Sequence, residues 1–513
     1  LGPFDLVLAG LTSVDADTGQ VGPEVAELLG LPFASGVREL SVDGRQLGVL
    51  CERDDGTVEA EVDLPAVISV AERLTFPAKH GPEERAAVDR SKLRRLSATE
   101  LGPGPWGEEG SPTRVGEIRL TEQVRLGRRL DGTLEEQLDL LVAHLVERGA
   151  LLSVGKSPTR GTVPLTGGPP AVVVALEPGR PRLARELLGA AAVLAQELGG
   201  SVVAALACGG PASLSPAELG PLGADQVLEL ALAGQEDPSA EVPSDAAPVA
   251  EGVARALWPW VAETAPQVLL APSTSFGREI AARLAARGGF GLTGDATSLE
   301  IKDGRLVAWK PAFGGQLEAA ISARSAVQGA TLRPGALPLL EPRAGGAPVR
   351  RLVVEDHGKA GEDRDHDVAG ARVRYGRRTV DEVAGTLAAA PALIGVGAGV
   401  DPSRYGELDD LLEVLGASLV ATRKVTDKGW LPRTRQVGLT GIHVDPRLYI
   451  AIGISGRTNH VVGLRHTATV VAVNRDPGAA MFEMADYGVV GDWGEVVPPL
   501  TERLRVALGG TKR

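Results

Sequence analysis

The sequence predicts an α/β protein made of three-layer, doubly wound parallel sheets. Short apolar runs typical of buried parallel strands alternate with amphipathic helices along nearly the whole chain. Glycine and proline, at 66 and 36 residues, separate these runs and do not form one low-complexity tract. The length of 513 residues is enough for about three domains, so several sheets are expected in one chain.

The first predicted element is a strand over 5–10, an apolar run that enters a glycine turn. A short helix is predicted over 23–29 because its apolar residues fall on one face, and residues 76–113 are loop-rich and charged. Because the chain opens in the middle of this pattern, on Leu1 and not on Met, we expect an upstream piece of the first domain to be absent. Further strands are predicted over 37–49, 58–64 and 66–70.

The clearest predicted helix spans 134–149, with Leu, Val and Ala at spacings of three and four and a closing glycine. The best linker candidates are 160–170 and 342–349. The remaining predicted helices are 182–198, 249–265 and 276–287, the second of them kinked at Pro259. The remaining predicted strands are 171–176, 202–207, 267–271, 392–396, 448–453, 469–473 and 487–490.

Composition narrows the classes of function. A formal net charge of −13 argues against nucleic acid and anionic membranes as partners, since both demand a basic face. Cys51 and Cys208 are the only cysteines, too few for a disulfide framework or a thiolate metal site. The seven histidines show no metal-ligand spacing, and no apolar run reaches about 18 residues, so neither a metal nor a membrane span is expected. With no signal peptide at its start, the chain is expected to be cytoplasmic.

Polar residues and glycines follow three predicted strands near the end of the chain, and in parallel sheets ligands bind outside such carboxyl ends. The turn from Gly453 to Gly456 is suited to phosphate, although both glycines are equally explained by a tight turn alone. Asp492 is a candidate for a ribose hydroxyl or, alternatively, a helix N-cap before Glu495. The residues that follow these strands are Ser455, Gly456, His460, Asn474, Asp492 and Trp493.

A second cluster consists of 421–424 and 436–441. An arginine such as Arg423 would stabilise negative charge on a reduced flavin, the Thr440 hydroxyl would bond a ring nitrogen, and His460 would sit at a ring carbonyl. Each has a simpler interpretation: a solvated charge for Arg423, a turn hydroxyl for Thr440, and a satisfied, partly buried imidazole for His460.

Three stretches of the sequence resemble one known family. Residues 416–500, with LVATRKVTDKGWLPRTRQVGLTG and LYIAIGISGRTNHVVGL, resemble the FAD-binding domain of the electron transfer flavoprotein alpha subunit. Residues 171–345, with LLAPSTSFGREIAARLAARGGFGLTGDAT, resemble the amino-terminal domain of that subunit. Residues 5–30, DLVLAGLTSVDADTGQVGPEVAELLG, resemble the beta subunit where its loop holds a structural AMP. The chain is interpreted as a beta–alpha fusion that lacks roughly the first hundred residues of a beta subunit.

The resemblance implies two related nucleotide-binding-type α/β domains and a carboxy-terminal Rossmann-like FAD-binding domain. The expected regions are 1–125, a beta-like domain truncated at its start; 126–168, an arm with a helix and a linker; 169–345, the alpha-like amino-terminal domain; and 346–513, the FAD-binding domain. The beta-like and alpha-like parts are expected to pack on each other.

The resemblance also implies the cofactor-binding residues. The pair 422–423 would lie against the isoalloxazine, 437–441 under its N5, 455–460 along the pyrophosphate and ring, and 474 with 492–493 at the adenosine end. The implied FAD residues are Thr422, Arg423, Val437, Gly438, Leu439, Thr440, Ser455, Gly456, Arg457, Thr458, Asn459, His460, Asn474, Asp492 and Trp493. The implied AMP residues are Ser13, Asp15, Thr18, Gly19, Gln20 and Val21, in a loop that is otherwise an ordinary strand-to-helix turn.

Several positions depart from the family pattern. Ala398 stands where the family has an arginine near the pyrophosphate, and Leu439 replaces a glutamine before the ring-contacting threonine. Residues 457–459 replace Ala-Ile-Gln, and 77–87 replaces the loop that grips partner dehydrogenases. These departures bear on the redox potential and on partner identity.

The leading hypothesis is an electron carrier without substrate turnover of its own. Its FAD would take electrons from flavoprotein dehydrogenases, such as the acyl-CoA dehydrogenases of fatty acid beta-oxidation, and pass them to a membrane quinone reductase. The alternative is an NADH-dependent, electron-bifurcating flavoprotein with a second flavin in place of AMP. A nucleotide-binding scaffold without redox function is a third hypothesis, supported by Ala398 and Leu439 alone.

Overall fold

The computed structural model describes residues 4–13, 15–71, 74–75, 80–92, 95–120, 125–151, 161–207, 214–231, 249–313, 317–353, 372–380, 387, 390–438, 441, 444, 446–456, 460, 463–464 and 469–509. This part of the chain is a mixed α/β protein whose strands form four sheets, two of them entirely parallel. The predicted fold class is therefore confirmed. In the same residues, no helix combines the length and the apolar character needed to cross a membrane.

The strands are numbered in chain order. They are β1 (Leu6–Gly10), β2 (Phe33–Asp43), β3 (Gln46–Arg53), β4 (Gly56–Asp63), β5 (Ala66–Val70), β6 (Thr113–Leu120), β7 (Arg128–Arg129), β8 (Pro170–Ala175), β9 (Ser201–Ala207), β10 (Gln226–Ala231), β11 (Val268–Pro272), β12 (Gly291–Ala296), β13 (Ser298–Lys302), β14 (Arg305–Ala312), β15 (Leu317–Ala323), β16 (Gln328–Leu332), β17 (Val349–Val353), β18 (Val373–Val380), β19 (Ala392–Val396), β20 (Ser418–Ala421), β21 (Leu448–Ile452), β22 (Thr469–Asn474) and β23 (Tyr487–Val490).

The α-helices are α1 (Val21–Leu29), α2 (Pro82–Ala86), α3 (Leu134–Glu147), α4 (Pro181–Leu198), α5 (Pro216–Leu222), α6 (Ala250–Thr264), α7 (Ser275–Gly288), α8 (Asp409–Leu415), α9 (Arg423–Asp427) and α10 (Trp493–Ala507). Short 3₁₀ turns lie at Arg90–Lys92, Ala98–Glu100, Pro402–Leu408, Arg433–Arg435 and Ala480–Phe482.

The first sheet has the order β1-β5-β2-β3-β4-β18 and is mixed. Only β1, β5 and β2 run parallel, whereas β2, β3, β4 and β18 form an antiparallel meander. The single strand predicted over 37–49 is wrong, because a hairpin pairs Asp43 with Gln46 and turns at Gly44, which has φ +58°. The apolar alternation continues on both sides of this turn, and so the pattern alone hid it.

The second sheet is parallel throughout and has the order β12-β16-β11-β8-β9-β10-β17. Apolar residues of its strands alternate between two cores, with Val172 and Val174 in one and Val173 in the other, so that helices cover both faces. Pro259 lies inside α6, as the sequence indicated. Strand β17 follows residue 345, where a domain boundary was predicted, and pairs with β10.

The third sheet, β13-β14-β15-β6, is antiparallel and was not predicted. Its edge strand β6 comes from the first 125 residues of the chain, while the other three strands lie between 298 and 323. Strand β13 alternates between half-buried apolar residues and exposed polar or charged ones, whereas β6 is exposed along almost its whole length.

The fourth sheet is parallel, with the order β20-β19-β21-β22-β23-β7. Its last strand, Arg128–Arg129, comes from far upstream and pairs with β23. Helix α3 packs on α10 and buries Leu138, Leu141 and Leu145 in the core below this sheet. Thr133 caps α3 by accepting a hydrogen bond from the Glu136 N–H, which explains where this predicted helix begins.

Helix α1, beside the first sheet, packs on helix α7, beside the second sheet. Glu27 of α1 forms ion pairs with Arg283 and Arg287 of α7. Cys51 is a buried free thiol in the first sheet, and Cys208 lies outside the described residues.

Candidate functional site

The fourth sheet has one point at which its strand order reverses. After β19 the chain first adds β20 on one side, and then places β21, β22 and β23 in succession on the other side. The connections that leave the carboxyl ends of β19 and β21 therefore separate in opposite directions and open a crevice. In open parallel sheets, this is the place where nucleotides bind.

Two glycine turns form the floor of this crevice. The N–H of Gly399, after β19, lies 3.3 Å from the carbonyl oxygen of Gly453, after β21. A Cβ on Gly399 would lie 3.0 Å from the same oxygen, and a Cβ on Gly397 would overlap it. Gly453 itself has φ +62°, a conformation that favours glycine. Bare backbone from two loops thus meets at the position where a phosphate would approach a nucleotide fold.

Gly456 continues the second turn and is required for two reasons. Its φ is +79°, and a Cβ added to it would overlap the backbone nitrogen of Met481. Ser455, beside it, is exposed. Of the two interpretations of this glycine pair, a tight turn is what the described contacts show, and phosphate binding stays a prediction.

Thr422 and Arg423 follow β20 at the same edge of the sheet. The Thr422 N–H donates to the carbonyl oxygen of Val396 at 3.1 Å, which places Thr422 beside the end of β19. Helix α9 begins at Arg423, whose side chain is 49% exposed and has its Nε 3.5 Å from Asp427 Oδ2. The guanidinium is therefore at the surface of the sheet edge and not in its core.

Val437 and Gly438 lie next to this pair. The Val437 N–H donates to the carbonyl oxygen of Ala421 at 3.0 Å, so that the chain after 436 runs along the end of β20. Gly463 packs so closely on Gly438 that a Cβ on Gly463 would overlap the Gly438 nitrogen. The Gly441 N–H donates to the Gly438 carbonyl at 3.0 Å and closes a turn.

His460 is buried against this turn. Its Nδ1 lies 2.9 Å from the carbonyl oxygen of Val437, and its Nε2 lies 2.7 Å from the hydroxyl of Tyr449. Burial lowers the pKa of His460 to about 4, an effect that the bond to Val437 opposes only in part. The imidazole is thus neutral at physiological pH, and the interpretation of His460 as a satisfied imidazole is the one that its contacts match.

Asn474, Asp492 and Trp493 lie after β22 and β23. The Asn474 amide donates to the Ile454 carbonyl at 2.9 Å and ties the two loops together. Asp492 is the N-cap of α10, since its Oδ1 accepts the Gly494 N–H at 2.9 Å. Trp493 is buried, and the Arg404 guanidinium covers its ring at 4.4 Å. The N-cap interpretation of Asp492 is thereby observed, and a ribose contact stays a prediction.

The described candidate residues therefore converge on one edge of the fourth sheet. These residues are Thr422, Arg423, Val437, Gly438, Ser455, Gly456, His460, Asn474, Asp492 and Trp493. The candidates Leu439, Thr440, Arg457, Thr458 and Asn459 lie outside the described residues. Sequence reasoning missed Tyr449, which looks like one more apolar strand residue; the signal for it was that a buried tyrosine hydroxyl needs a polar partner.

The loop predicted to hold AMP is hydrogen-bonded to residues 310 and 313. The Lys310 ammonium donates to the Ala16 carbonyl, and the Phe313 N–H donates to the Asp15 carbonyl at 3.1 Å. Burial lowers the pKa of Lys310 to about 8, while Asp295 and then Asp17 oppose this effect.

The remaining residues of that loop turn the chain into α1. The Ser13 hydroxyl bonds the Asp15 carboxylate and lowers its pKa. Thr18 packs so tightly on Gly294 that a Cβ there would lie 2.7 Å from it, and Gly19 has φ +64°. Gln20 is the N-cap residue of α1, and Val21 is its exposed first residue. None of these contacts tests AMP binding, which stays a prediction.

A cavity of about 260 Å³ connects this loop with the fourth sheet. Its lining combines Gly19 of the loop, Arg53 of β3 and Arg278 of α7 with Gly441, which follows the Val437 turn. The Arg53 guanidinium donates to the Tyr375 hydroxyl at 2.6 Å. Three segments far apart in sequence thus meet around one charged cavity.

The second sheet has its own reversal of strand order, between β8 and β11, and a carboxylate of the chain lies at the start of the helix that follows β11. The N–H of Ser275, at the start of α7, donates to Asp54 Oδ2 at 2.8 Å. A carboxylate at a helix N-terminus occupies the place that a phosphate takes in nucleotide folds.

The strand reversal and the bare glycine turns define the class of the protein as a doubly wound, nucleotide-binding α/β protein. A family model described as "Electron transfer flavoprotein FAD-binding domain" matches residues 386–465. A second model, "Electron transfer flavoprotein domain", matches residues 2–96 and 181–357. The glycine turns lie at the strand reversal, which is where a dinucleotide such as FAD binds in folds of this class.

Three curated relatives show how the chain compares with whole proteins. The electron transfer flavoprotein subunit alpha of Thermoanaerobacterium thermosaccharolyticum is 35% identical over 263 residues, which are 50% of this chain and 76% of that protein. The subunit alpha of Clostridium acetobutylicum is 33% identical over 337 residues, 64% of this chain and 93% of that protein. The acryloyl-CoA reductase electron transfer subunit beta of Anaerotignum propionicum is 31% identical over 349 residues, 62% of this chain and 90% of that protein.

The chain belongs to the electron transfer flavoprotein family, and its cofactor is FAD.

Proposed function

We propose that this chain is a single-polypeptide electron transfer flavoprotein in which a beta-subunit-like part precedes a complete alpha-subunit-like part. The proposed regions are those given above, 1–125, 126–168, 169–345 and 346–513. Support comes from one family model that matches both 2–96 and 181–357, so the two segments are alike. The relatives described above align with 50 to 64% of the chain, which leaves 36 to 50% of it for a further segment.

The packing of the segments supports the same proposal. Strand β7 completes the FAD-binding sheet from outside it, α3 packs on α10, and α1 packs on α7. Contacts of this kind between distant segments are what covalent fusion of two subunits would preserve. A fused chain also has no association equilibrium between its parts, so its stability does not depend on protein concentration.

In the proposed function, FAD supplies one- and two-electron transfer, and the chain supplies binding, orientation and charge. The turns at 397–399 and 453–456 would hold the pyrophosphate. Residues 474, 492 and 493 would hold the adenosine. Arg423, close to the end of β20, would place a positive charge near the ring and favour its reduced, anionic state. Electron transfer of this kind needs no general acid or base.

The proposed donors are flavoprotein dehydrogenases that act on acyl-CoA thioesters, and the proposed acceptor is a membrane quinone reductase. The name of one relative, an electron transfer subunit of acryloyl-CoA reductase, supports a partner that acts on a coenzyme A thioester, although in a reductase the thioester accepts the electrons. We place the chain in the cytoplasm on the basis of its cysteine usage, with Cys51 as a buried thiol. A role in fatty acid beta-oxidation follows from the same donor class.

The test uses the purified full-length chain loaded with FAD. Under anaerobic conditions, octanoyl-CoA and catalytic medium-chain acyl-CoA dehydrogenase should bleach the visible absorbance of the bound flavin. Arg423→Gln should lower its reduction potential, whereas the control Arg475→Gln, at an exposed residue outside the proposed ring site, should leave the potential unchanged. A chain that binds no FAD, or a flavin that no dehydrogenase reduces, would contradict the proposal.

One observation favours the electron-bifurcating alternative enough to keep it. The 260 Å³ cavity links Gly19, in the loop proposed for AMP, with Gly441, in the segment proposed to lie under the flavin. A second flavin at that loop would therefore be close to the first one. Two flavins per chain together with bleaching by NADH would select this alternative, and one FAD with one AMP would reject it.

A further inference from the structure

Arg404 covers Trp493 at the edge of the fourth sheet where the adenosine end of FAD is proposed to lie. The guanidinium carbon of Arg404 is 4.4 Å from the centroid of the Trp493 ring. The Arg404 side chain is 44% exposed, whereas Trp493 is 7% exposed. A base that approaches this edge of the sheet therefore meets the guanidinium before it meets the indole.

Two hydrogen bonds to Glu407 fix the orientation of the guanidinium. The Nε and Nη2 atoms of Arg404 each lie 2.7 Å from a different carboxylate oxygen of Glu407, which belongs to the same 3₁₀ turn. A bidentate pair of this kind defines the plane of the guanidinium as well as its position. The group over Trp493 is thus a flat cation with a set orientation.

The chain brings Arg404 to Trp493 from the other side of the strand reversal. The Arg404 N–H donates to the Asp401 carbonyl at 3.0 Å, in the turn that follows the glycine residues 397–399. At the other end, Gly494 leaves space for the side chain, since a Cβ there would lie 2.6 Å from Arg404 Nη2. Arg404 therefore joins the loop after β19 to the start of α10.

The charges around Arg404 favour a neutral part of the cofactor. The hydrogen bond to Glu407 is the main cause that raises the pKa of Arg404, and the carboxylates of Asp492 and Asp401 add to it. Three carboxylates around one guanidinium would repel a pyrophosphate. An adenine ring is uncharged, and guanidinium planes stack on nucleobases. Adenine is therefore the part of FAD that fits this position.

We propose that Arg404 is a specificity-determining residue of the FAD site: its guanidinium, held by Glu407 over Trp493, is the surface on which the adenine of FAD stacks. The indole of Trp493 supports the guanidinium from the opposite side. This inference rests on the proposed FAD site, and it adds a contact to those proposed for residues 474, 492 and 493. It makes the adenosine end, and not the flavin ring, the part of the cofactor that Arg404 recognises.

The test compares Arg404→Gln with Arg119→Gln in the full chain. Arg119 is a matched control, because its guanidinium also lies over a buried tryptophan, Trp309, at 3.9 Å, and also bonds one carboxylate, that of Glu117, through Nε and Nη2. It lies on β6 of the third sheet, outside the proposed FAD site. Calorimetric titration of the apoprotein with FAD and with FMN measures affinity, and potentiometry measures the midpoint potential of the bound FAD.

We expect Arg404→Gln to bind FAD about tenfold more weakly than the wild type and Arg119→Gln, because the stacking of one base is lost. FMN has no adenosine, so its affinity should not change, and the midpoint potential of the bound FAD should stay that of the wild type. Arg404→Lys keeps the charge but not the planar group, so it should bind FAD as weakly as Arg404→Gln. The lysine variant also serves as the test if Arg404→Gln does not fold.

Equal FAD affinity in Arg404→Gln and Arg119→Gln would overturn the inference, and so would full affinity in Arg404→Lys. A loss of FMN affinity as large as the loss of FAD affinity, or a shifted midpoint potential, would overturn it as well, because either result would show general damage to the site. If the wild type bound no FAD, the proposed function itself would fail, and this outcome is distinct from a variant that binds FAD as tightly as the wild type.

Discussion

Replacing Arg283 by methionine should destabilise the contact between helices α1 and α7. Arg283 is 1% exposed and sits among three carboxylates: its Nε is 3.0 Å from Glu279, its Nη1 is 3.1 Å from Glu27, and its Nη2 is 3.6 Å from Glu251. Methionine preserves most of the side-chain volume and removes the charge together with the hydrogen bonds that the guanidinium donates to Glu279 and Glu27. The effect then measures the buried ion cluster and not the loss of packing.

The magnitude follows from which carboxylates keep another partner. Glu27 keeps Arg287, whose Nε lies 2.6 Å away, and Glu251 keeps Arg372. Glu279 is 3% exposed, and its pKa is already raised by burial, so in the variant it becomes the least compensated charge. One uncompensated buried carboxylate costs about 3–5 kcal/mol. For a cooperative unit of about 150–250 residues, 1 kcal/mol corresponds to about 2–4 °C, so that loss lowers the melting temperature by about 6–20 °C.

The pH dependence has a definite sign. In Arg283→Met the carboxylates lose a cation, so their native pKa values rise, and protonation at lower pH relieves the repulsion. The melting temperature deficit should therefore be largest near neutral pH and shrink as pH falls. Scanning calorimetry of the full chain measures this deficit, and the added substitution Glu279→Gln should restore part of it.

The matched control is Arg377→Met, which removes a cation at 78% exposure, 3.8 Å from Glu59, and should leave the melting temperature unchanged. An Arg283→Met protein that melts within 2 °C of the wild type would refute the reasoning. A deficit that grows as pH falls, or that Glu279→Gln does not reduce, would refute it as well.

Three further predictions concern single residues. Gly456→Ala should weaken FAD binding by about tenfold or more in calorimetric titration, because a Cβ overlaps the Met481 backbone; Gly429→Ala, also at positive φ but facing open space, should bind FAD normally. The pKa of His460 is lowered from 6.5 to about 4. About 3 kcal/mol of stability is therefore present above pH 6.5 and should be lost as pH falls to 4. Calorimetry should find no such pH dependence in His460→Gln. The pKa of Lys310 is lowered from 10.5 to about 8, so the wild type should become more stable as pH rises from 8 to 10.5, and Lys310→Met should not. For His460 and for Lys310 alike, equal stability profiles of variant and wild type against pH would contradict the prediction.

The sequence predicted the parallel sheets well because buried parallel strands are continuous apolar runs. Strands Ala66–Val70, Ala392–Val396 and Tyr487–Val490 have the predicted bounds, and helix α3 begins at the predicted residue. Such runs carry their signal locally. The hairpin at Gly44 was missed because apolar alternation continues on both sides of its short turn, and in the third sheet only the pairing of β6 with β15 joins distant segments.

The candidate site was predictable in composition but not in contacts. Residues after parallel strands must gather at one edge, so Asn474 and Asp492 could be grouped from the sequence alone. The hydrogen bond from Tyr449 to His460 could not, since it depends on the space left by Gly395 on a neighbouring strand. The close approach of Gly399 to Gly453 likewise joins residues 54 positions apart.

The most direct measurement of the central claim is an experimental structure of the full chain with FAD bound. We predict that FAD lies across the strand reversal of the fourth sheet, with its pyrophosphate at the glycine turns 397–399 and 453–456 and its ring beside Arg423. FAD bound only in the cavity at Gly19, or at neither place, would contradict the account.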